Sequence, residues 1–310
     1  MSKGIIVLGM HRGGTSLTAD IVRRWGAYSG DEELLLKGDA ENPQGYWEYR
    51  PLIQFNEELL SSLGARWYTP PSDEDIETLE KKSLEARYRE SALKLIAAMQ
   101  KGDNLWFWKD PRLAVLLPFW KKIWGNVAYV IPIRHPLDIA LSLRKRNAYP
   151  ISASLLIWQR YMLSILRGTE TTTNKVFVEY EKLIREPLEQ CNRLSGFLRS
   201  QSGAGAIERR TSDAMTSAIN PELSHNRSLT CFDEVGQATL DQKALYDFLR
   251  RKTENPVEEF DGPRYVEYSG WREYLQTIDV MRRLWTYLPQ KEKVIALSQM
   301  SVTHREYFGF

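Results

Sequence analysis

The chain has 310 residues, with 42 Lys and Arg against 40 Asp and Glu, 43% hydrophobic and 26% charged residues. This balance excludes a disordered or collagen-like chain, and the length suits one large α/β domain with or without an extension. A formal net charge of +2 argues against a nucleic-acid polymer as partner, yet leaves room for a small basic pocket.

The first predicted element is a buried strand over residues 4–8, where Ile5-Ile6-Val7-Leu8 precedes a glycine cluster. That run is too short for a signal-peptide core or a membrane span, and no later segment reaches ~20 apolar residues. A soluble, cytoplasmic protein with no membrane span is expected. Residues 9–16 form a loop, and Leu17, Ile21 and Trp25 then recur at helical spacing. Strand, glycine loop and helix open a βαβ unit. Residues 39–49 are turn-rich, with Asn42-Pro43 and Gly45 as punctuation. Helices are predicted over 52–63 and 83–99, with Pro70-Pro71 and the acidic residues 73–80 as an exposed connection between them. A short strand over 105–108 ends at Lys109-Asp110-Pro111, and a helix follows over 113–123.

The second strong strand covers 127–133 and ends at Arg134-His135-Pro136, where Pro136 suits the first position of a helix reaching about Arg146. A helix over 152–166, a strand over 175–178 and a single helix over 181–198 complete the pattern. Repeated βα order predicts an α/β fold with a central, mostly parallel sheet flanked by helices. The domain is expected to span residues 1–230. Beyond it, helices over 240–251 and 274–287 make 231–310 a helical C-terminal extension, for capping or self-association.

The two cysteines, Cys191 and Cys231, form no CxxC pair, and four histidines offer no HExxH spacing, so reduced cysteines and no metal site are expected. Seven of ten tryptophans fall between Trp25 and Trp124. Most suit core packing. Trp47 is the candidate for a substrate cleft.

Gly9-Met10-His11-Arg12-Gly13-Gly14-Thr15-Ser16 has the frame G-x-x-x-x-G-x-[ST]. Such loops curl backbone N–H groups around an anion at a helix N-terminus. Thr15 stands where a nucleotide-triphosphate loop carries lysine, which weakens a kinase or NTPase reading. Arg12 supplies a cation instead. A second basic element begins at Arg134 on a strand end, with Ser142 eight residues later and Arg144-Lys145-Arg146 after it. Strand ends are where ligands bind in open α/β sheets, and Arg forks onto phosphate. Two anion sites point to a ligand with two separated anionic groups.

These residues resemble the sulfotransferase superfamily, which uses 3′-phosphoadenosine 5′-phosphosulfate (PAPS). The loop from His11 to Ser16 is similar to the family's 5′-phosphosulfate loop. Arg134 followed by Ser142 is similar to its 3′-phosphate site. Asn42-Pro43-Gln44-Gly45-Tyr46-Trp47-Glu48 and Trp108-Lys109-Asp110-Pro111-Arg112 resemble a bacterial-type branch, and Tyr180-Glu181-Lys182-Leu183 after a strand is typical. The resemblance covers about residues 4–230. It implies a P-loop-like fold and transfer of a sulfuryl group from PAPS to a hydroxyl or amine, leaving PAP, with no metal. His11, Arg12, Gly13, Gly14, Thr15 and Ser16 would hold the 5′-phosphosulfate. Arg134 and Ser142 would hold the 3′-phosphate, with Arg227 on a lid. Lys109 would contact the sulfuryl group.

In such chemistry the acceptor oxygen loses a proton while negative charge grows on the leaving oxygen. Lys109 and Arg12 suit the second task. Glu48, beside Tyr46 and Trp47, is the expected general base, since partial desolvation raises a carboxylate pKa. His11 and Asp110 are its rivals. The acceptor is expected to be a carbohydrate or small metabolite. A P-loop kinase or NTPase, or a non-catalytic nucleotide-binding protein on the same fold, stays open.

Overall fold

The computed structural model describes residues 3–39, 42–100, 105–201, 212–220, 232, 235–255 and 273–280. The chain opens with β1 (Gly4–Val7) and α1 (Thr15–Trp25), and α2 (Arg50–Ser62), α3 (Asp73–Leu79) and α4 (Lys82–Met99) follow as a helical insert. Then come β2 (Trp106–Lys109), α5 (Leu113–Trp120), β3 (Val127–Ile133), α6 (Pro136–Asn147), α7 (Ile151–Thr169) and β4 (Lys175–Glu179). Helices α8 (Tyr180–Arg185), α9 (Pro187–Gln201), α10 (Ser212–Thr216) and α11 (Leu240–Lys252) follow.

The strands form one parallel sheet in the order β2-β1-β3-β4. Helices cover both faces, so each strand is an apolar run rather than an alternating one. Successive residues still point to opposite sides. Ile6, Trp106, Trp108, Tyr129, Ile131 and Phe177 face the core beneath α2, α5, α6, α7 and α11. Ile5, Val7, Phe107, Val130, Val176 and Val178 face a second core beneath α1 and α9. This is the expected α/β architecture of a parallel sheet flanked by helices. Trp106, Trp108, Trp120 and Trp124 pack in series, with successive ring centroids 5.1, 5.3 and 5.5 Å apart. These four rings fill the core.

Helix α10 has no counterpart in the sequence reading, and two elements that it does cover differ. The acidic stretch after Pro70-Pro71 is a helix, α3, not an exposed connection. Ser72 and Asp75 close a capping box at its start, and Ile76 and Leu79 are buried. The expected single helix over 181–198 is two, α8 and α9. Pro187 disfavours helical backbone at the preceding residue, and Glu186 adopts φ −130° and ψ 53°.

The C-terminal segments pack on the same body. Thr239 and Gln242 form a capping box at the start of α11, and the Gln242 amide donates to the buried Gln159 side chain at 3.1 Å. Leu245, Tyr246, Leu249, Leu275 and Ile278 join the core beneath the sheet. Of the expected helix over 274–287, residues 273–280 are helical and the rest lie outside the described residues. Cys191 is a buried free thiol, its pKa pushed up to about 11 by burial, whereas Cys231 lies outside the described residues.

The turn after β2 is fixed by a buried polar relay. Asn56 on α2 donates to Asp110 Oδ2 at 2.8 Å and accepts from Trp120 Nε1 at 2.9 Å. Asp110 Oδ1 accepts from the backbone N–H and guanidinium of Arg112 at 3.0 and 2.8 Å. Asn56→Leu strands a buried carboxylate oxygen and an indole N–H, and unfolding in urea should show a loss of roughly 2–4 kcal/mol.

Candidate active site

The loops at the C-terminal ends of β1, β2 and β3 and the start of α8 converge on one cavity of about 480 Å³. Parallel sheets open their ligand sites at this edge. The register sets the pieces side by side: Val7, the last residue of β1, pairs with Lys109, the last of β2.

The loop after β1 is forced into an unusual path. Arg12 and Gly14 both have positive φ, 66° and 86°. A Cβ on Gly14 would come within 2.6 Å of the Tyr180 ring, so this position requires glycine. No side chain caps α1, whose first residues line the cavity. Uncapped helix N–H groups and the dipole together favour an anion.

Arg12 Nε donates to Ser142 Oγ at 2.7 Å, and Arg134 Nη1 donates to the Arg12 carbonyl at 2.8 Å. The Arg134 guanidinium also lies 4.5 Å from the centre of the Tyr180 ring. The two anion sites read from sequence therefore share a wall: Arg12 of the first touches Ser142 of the second. Arg146 lines the same cavity. Arg227 lies outside the described residues.

In the same cavity, Lys109 Nζ donates to Glu48 Oε1 at 2.5 Å and to Ser16 Oγ at 3.2 Å. Both side chains of the ion pair are buried, 2% and 7% exposed. Burial raises the Glu48 pKa, the attraction of Lys109 opposes that rise, and the neighbouring Asp110 charge adds to it. Arg112 lies 3.9 Å from the other Glu48 oxygen and is held by Asp110 and Glu57.

His11 packs its ring on Trp67 at a centroid distance of 4.5 Å, and its Nε2 is buried without a hydrogen-bond partner. Burial, followed by Arg112, Lys109, Arg146 and Arg12, pushes its pKa well below the usual histidine value, so it is neutral. Asp110 is fully buried and spends both oxygens on the turn relay. Tyr46 donates to Asp39 and lies with its ring 5.9 Å from Lys109 Nζ. Trp47 lines the cavity. Sequence reasoning missed Trp67, which lies outside every motif. It also gave Arg112 no role, although Arg112 ends a motif it quoted.

Residues 4–201 match the family model described as the sulfotransferase family. The chain belongs to the sulfotransferase family. Three solved structures are similar to this sulfotransferase. One is the sulfotransferase domain from the Synechococcus PCC 7002 olefin synthase, at 17% identity and a TM-score of 0.43, covering 93% of this chain and 96% of that one. Another is the sulfotransferase domain from the curacin biosynthetic pathway, at 16% identity and a TM-score of 0.42, covering 93% and 99%. The third is retinol dehydratase in complex with androsterone and the inactive cofactor PAP, at 14% identity and a TM-score of 0.37, covering 90% and 79%. No curated protein sequence matches the chain.

Gly14→Ala tests whether the loop of this sulfotransferase needs its left-handed glycine. Unfolding in urea should show a loss of roughly 1–3 kcal/mol, because the backbone is left-handed and the methyl group meets the Tyr180 ring.

Proposed function

We propose that this sulfotransferase moves a sulfuryl group from PAPS to a hydroxyl or amine of a carbohydrate or small metabolite. The observation that carries the reading is the buried Lys109–Glu48 pair beside an uncapped helix N-terminus, in one cavity with Arg12, Arg134 and Ser142. The donor set fits a ligand with two anionic ends. Gly13, Gly14, Thr15 and Ser16, with His11 beside them, form the cradle for the 5′-phosphosulfate. Arg134 and Ser142 form that for the 3′-phosphate, and Arg12 bridges the two. Arg227 is proposed for the same 3′ end.

PAPS supplies the sulfuryl group and leaves as PAP. The chain supplies placement, charge and a proton acceptor. Lys109 and Arg12, which line the same cavity, offset negative charge developing on the leaving oxygen. Glu48, with its raised pKa, takes the acceptor's proton. His11, buried and then surrounded by cations, is too weak a base and forms an acceptor wall with Trp67. The chemistry asks nothing of a metal.

The extension 231–310 is proposed to cap the domain 1–230, a reading supported by the packing of α11 on the main core. No helix among the described residues is long and apolar enough to cross a membrane, and a cytoplasmic location belongs to the same proposal.

The test combines binding with an acceptor screen. 3′,5′-ADP without magnesium should raise the melting temperature, whereas stabilisation only by ATP with magnesium contradicts the proposal. Labelled PAPS, offered with carbohydrates and small hydroxylated metabolites, should label one of them. Lys109→Ala should abolish transfer and leave 3′,5′-ADP binding largely intact. Arg134→Ala should weaken that binding roughly tenfold or more, the value of losing a charged hydrogen bond. Equal loss of nucleotide in both variants contradicts this division of roles.

A further inference from the structure

Glu48 reaches Lys109 because of the residue before it. Trp47 has φ 57°, a left-handed backbone that a bulky side chain rarely adopts. Its Nε1 is also buried without a hydrogen-bond partner. Two unfavourable features therefore meet at one residue beside the ion pair. Such strain persists only where the surroundings over-determine it.

The surroundings lie on α1, outside the cavity. Asp20 is 1% exposed, and its Oδ1 accepts from Arg23 Nε and Nη2 at 3.0 and 2.8 Å. Its other oxygen accepts from Arg24 at 2.8 Å. A basic residue in the last turn of a helix is ordinary by itself. Here the fork held by Asp20 lays its guanidinium carbon 4.1 Å from the Trp47 ring centre, well within cation–π range. The indole also packs against the core beneath α1. The Glu48 carbonyl accepts from the Leu36 N–H at 2.8 Å, which ties the segment on its other side. With the ring clamped to α1, the left-handed turn sends the next side chain inward to Lys109.

We infer that Arg23, gripped by Asp20, is a positioning residue: it clamps Trp47 onto α1 and so aims the Glu48 carboxylate at Lys109. Helix α1 then serves the site from both ends. Its N-terminus frames the anion loop, and its last turn fixes the segment that carries the base. This role rests on the reading of Glu48 as base.

The test uses the ligand-free, full-length protein labelled at glutamate carboxyl carbons. Lys109, Arg112 and Asp110 are the charged groups that face Glu48. NMR should show one glutamate titrating above the ordinary range, absent in Glu48→Gln. Arg23→Gln frees the segment, so that this titration moves down toward the ordinary range. Transfer of the labelled sulfuryl group to water, read as sulfate released from PAPS, should fall about threefold, the scale of one partly exposed cation–π contact. Binding of 3′,5′-ADP should stay within about twofold, since Arg23 lies outside the cavity. Arg23→Lys, which keeps a cation over the ring, should restore most of the loss. Adding Arg23→Gln to Glu48→Gln should cost nothing further. An unchanged Glu48 titration and sulfate release in Arg23→Gln overturns the positioning role alone. Full sulfate release by Glu48→Gln overturns the reading of Glu48 as base, and this role with it.

Discussion

The site is organised around one buried ion pair. Lys109 and Glu48 sit 2.5 Å apart with almost no solvent contact. Burial of two charges is costly, and the pair is tolerable only because its geometry is held from every side. Sheet register sets the end of β2 against the glycine loop. The relay of Asn56, Asp110 and Trp120 fixes the turn that follows Lys109. The left-handed turn at Trp47 delivers Glu48. If the Glu48 charge is lost, Lys109 is left buried without its carboxylate, at a cost of roughly 3–5 kcal/mol. The same arrangement places a carboxylate and a cation in the wall of one cavity.

Electrostatics of the cavity differ from those of the whole chain. The net charge of +2 averages local excesses of both signs. Residues 134–146 carry four cations against one anion, while residues 73–90 carry seven anions against four cations. The first group contributes Arg134 and Arg146 to the cavity. The acidic stretch forms α3 and the first part of α4, and Asp73 holds Arg160 at 2.8 Å. A small anionic ligand responds to local arrangement, which bulk charge does not report.

What was legible in the sequence was local. The β3 run Val127–Ile133 and the glycine loop announce themselves through apolar continuity and punctuation. Helix α3 was legible in principle, because Ser72 and Asp75 stand at capping-box spacing before Ile76 and Leu79. Its high charge hid it. Asn56 also left a signal, as a polar residue between Phe55 and Leu59 on the buried face of α2. Other features depend on distant partners. The contact of Arg12 with Ser142 joins residues 130 apart, and Trp67 reaches His11 only after the insert folds over the sheet. The left-handed backbone at Trp47 has no glycine to announce it, because the surrounding packing imposes it.

Glu48, buried against Lys109, is the proposed base. Burial keeps its carboxyl protonated to higher pH than an ordinary glutamate, whose pKa is about 4.3. Only the ionised form accepts a proton. The pH dependence of kcat is therefore the most direct measurement. With Glu48 as base, kcat rises with pH through an inflection above the ordinary carboxylate range, and Glu48→Gln lacks this limb and is nearly inactive. A Glu48→Gln enzyme with the wild-type rate and the same rising limb would contradict it.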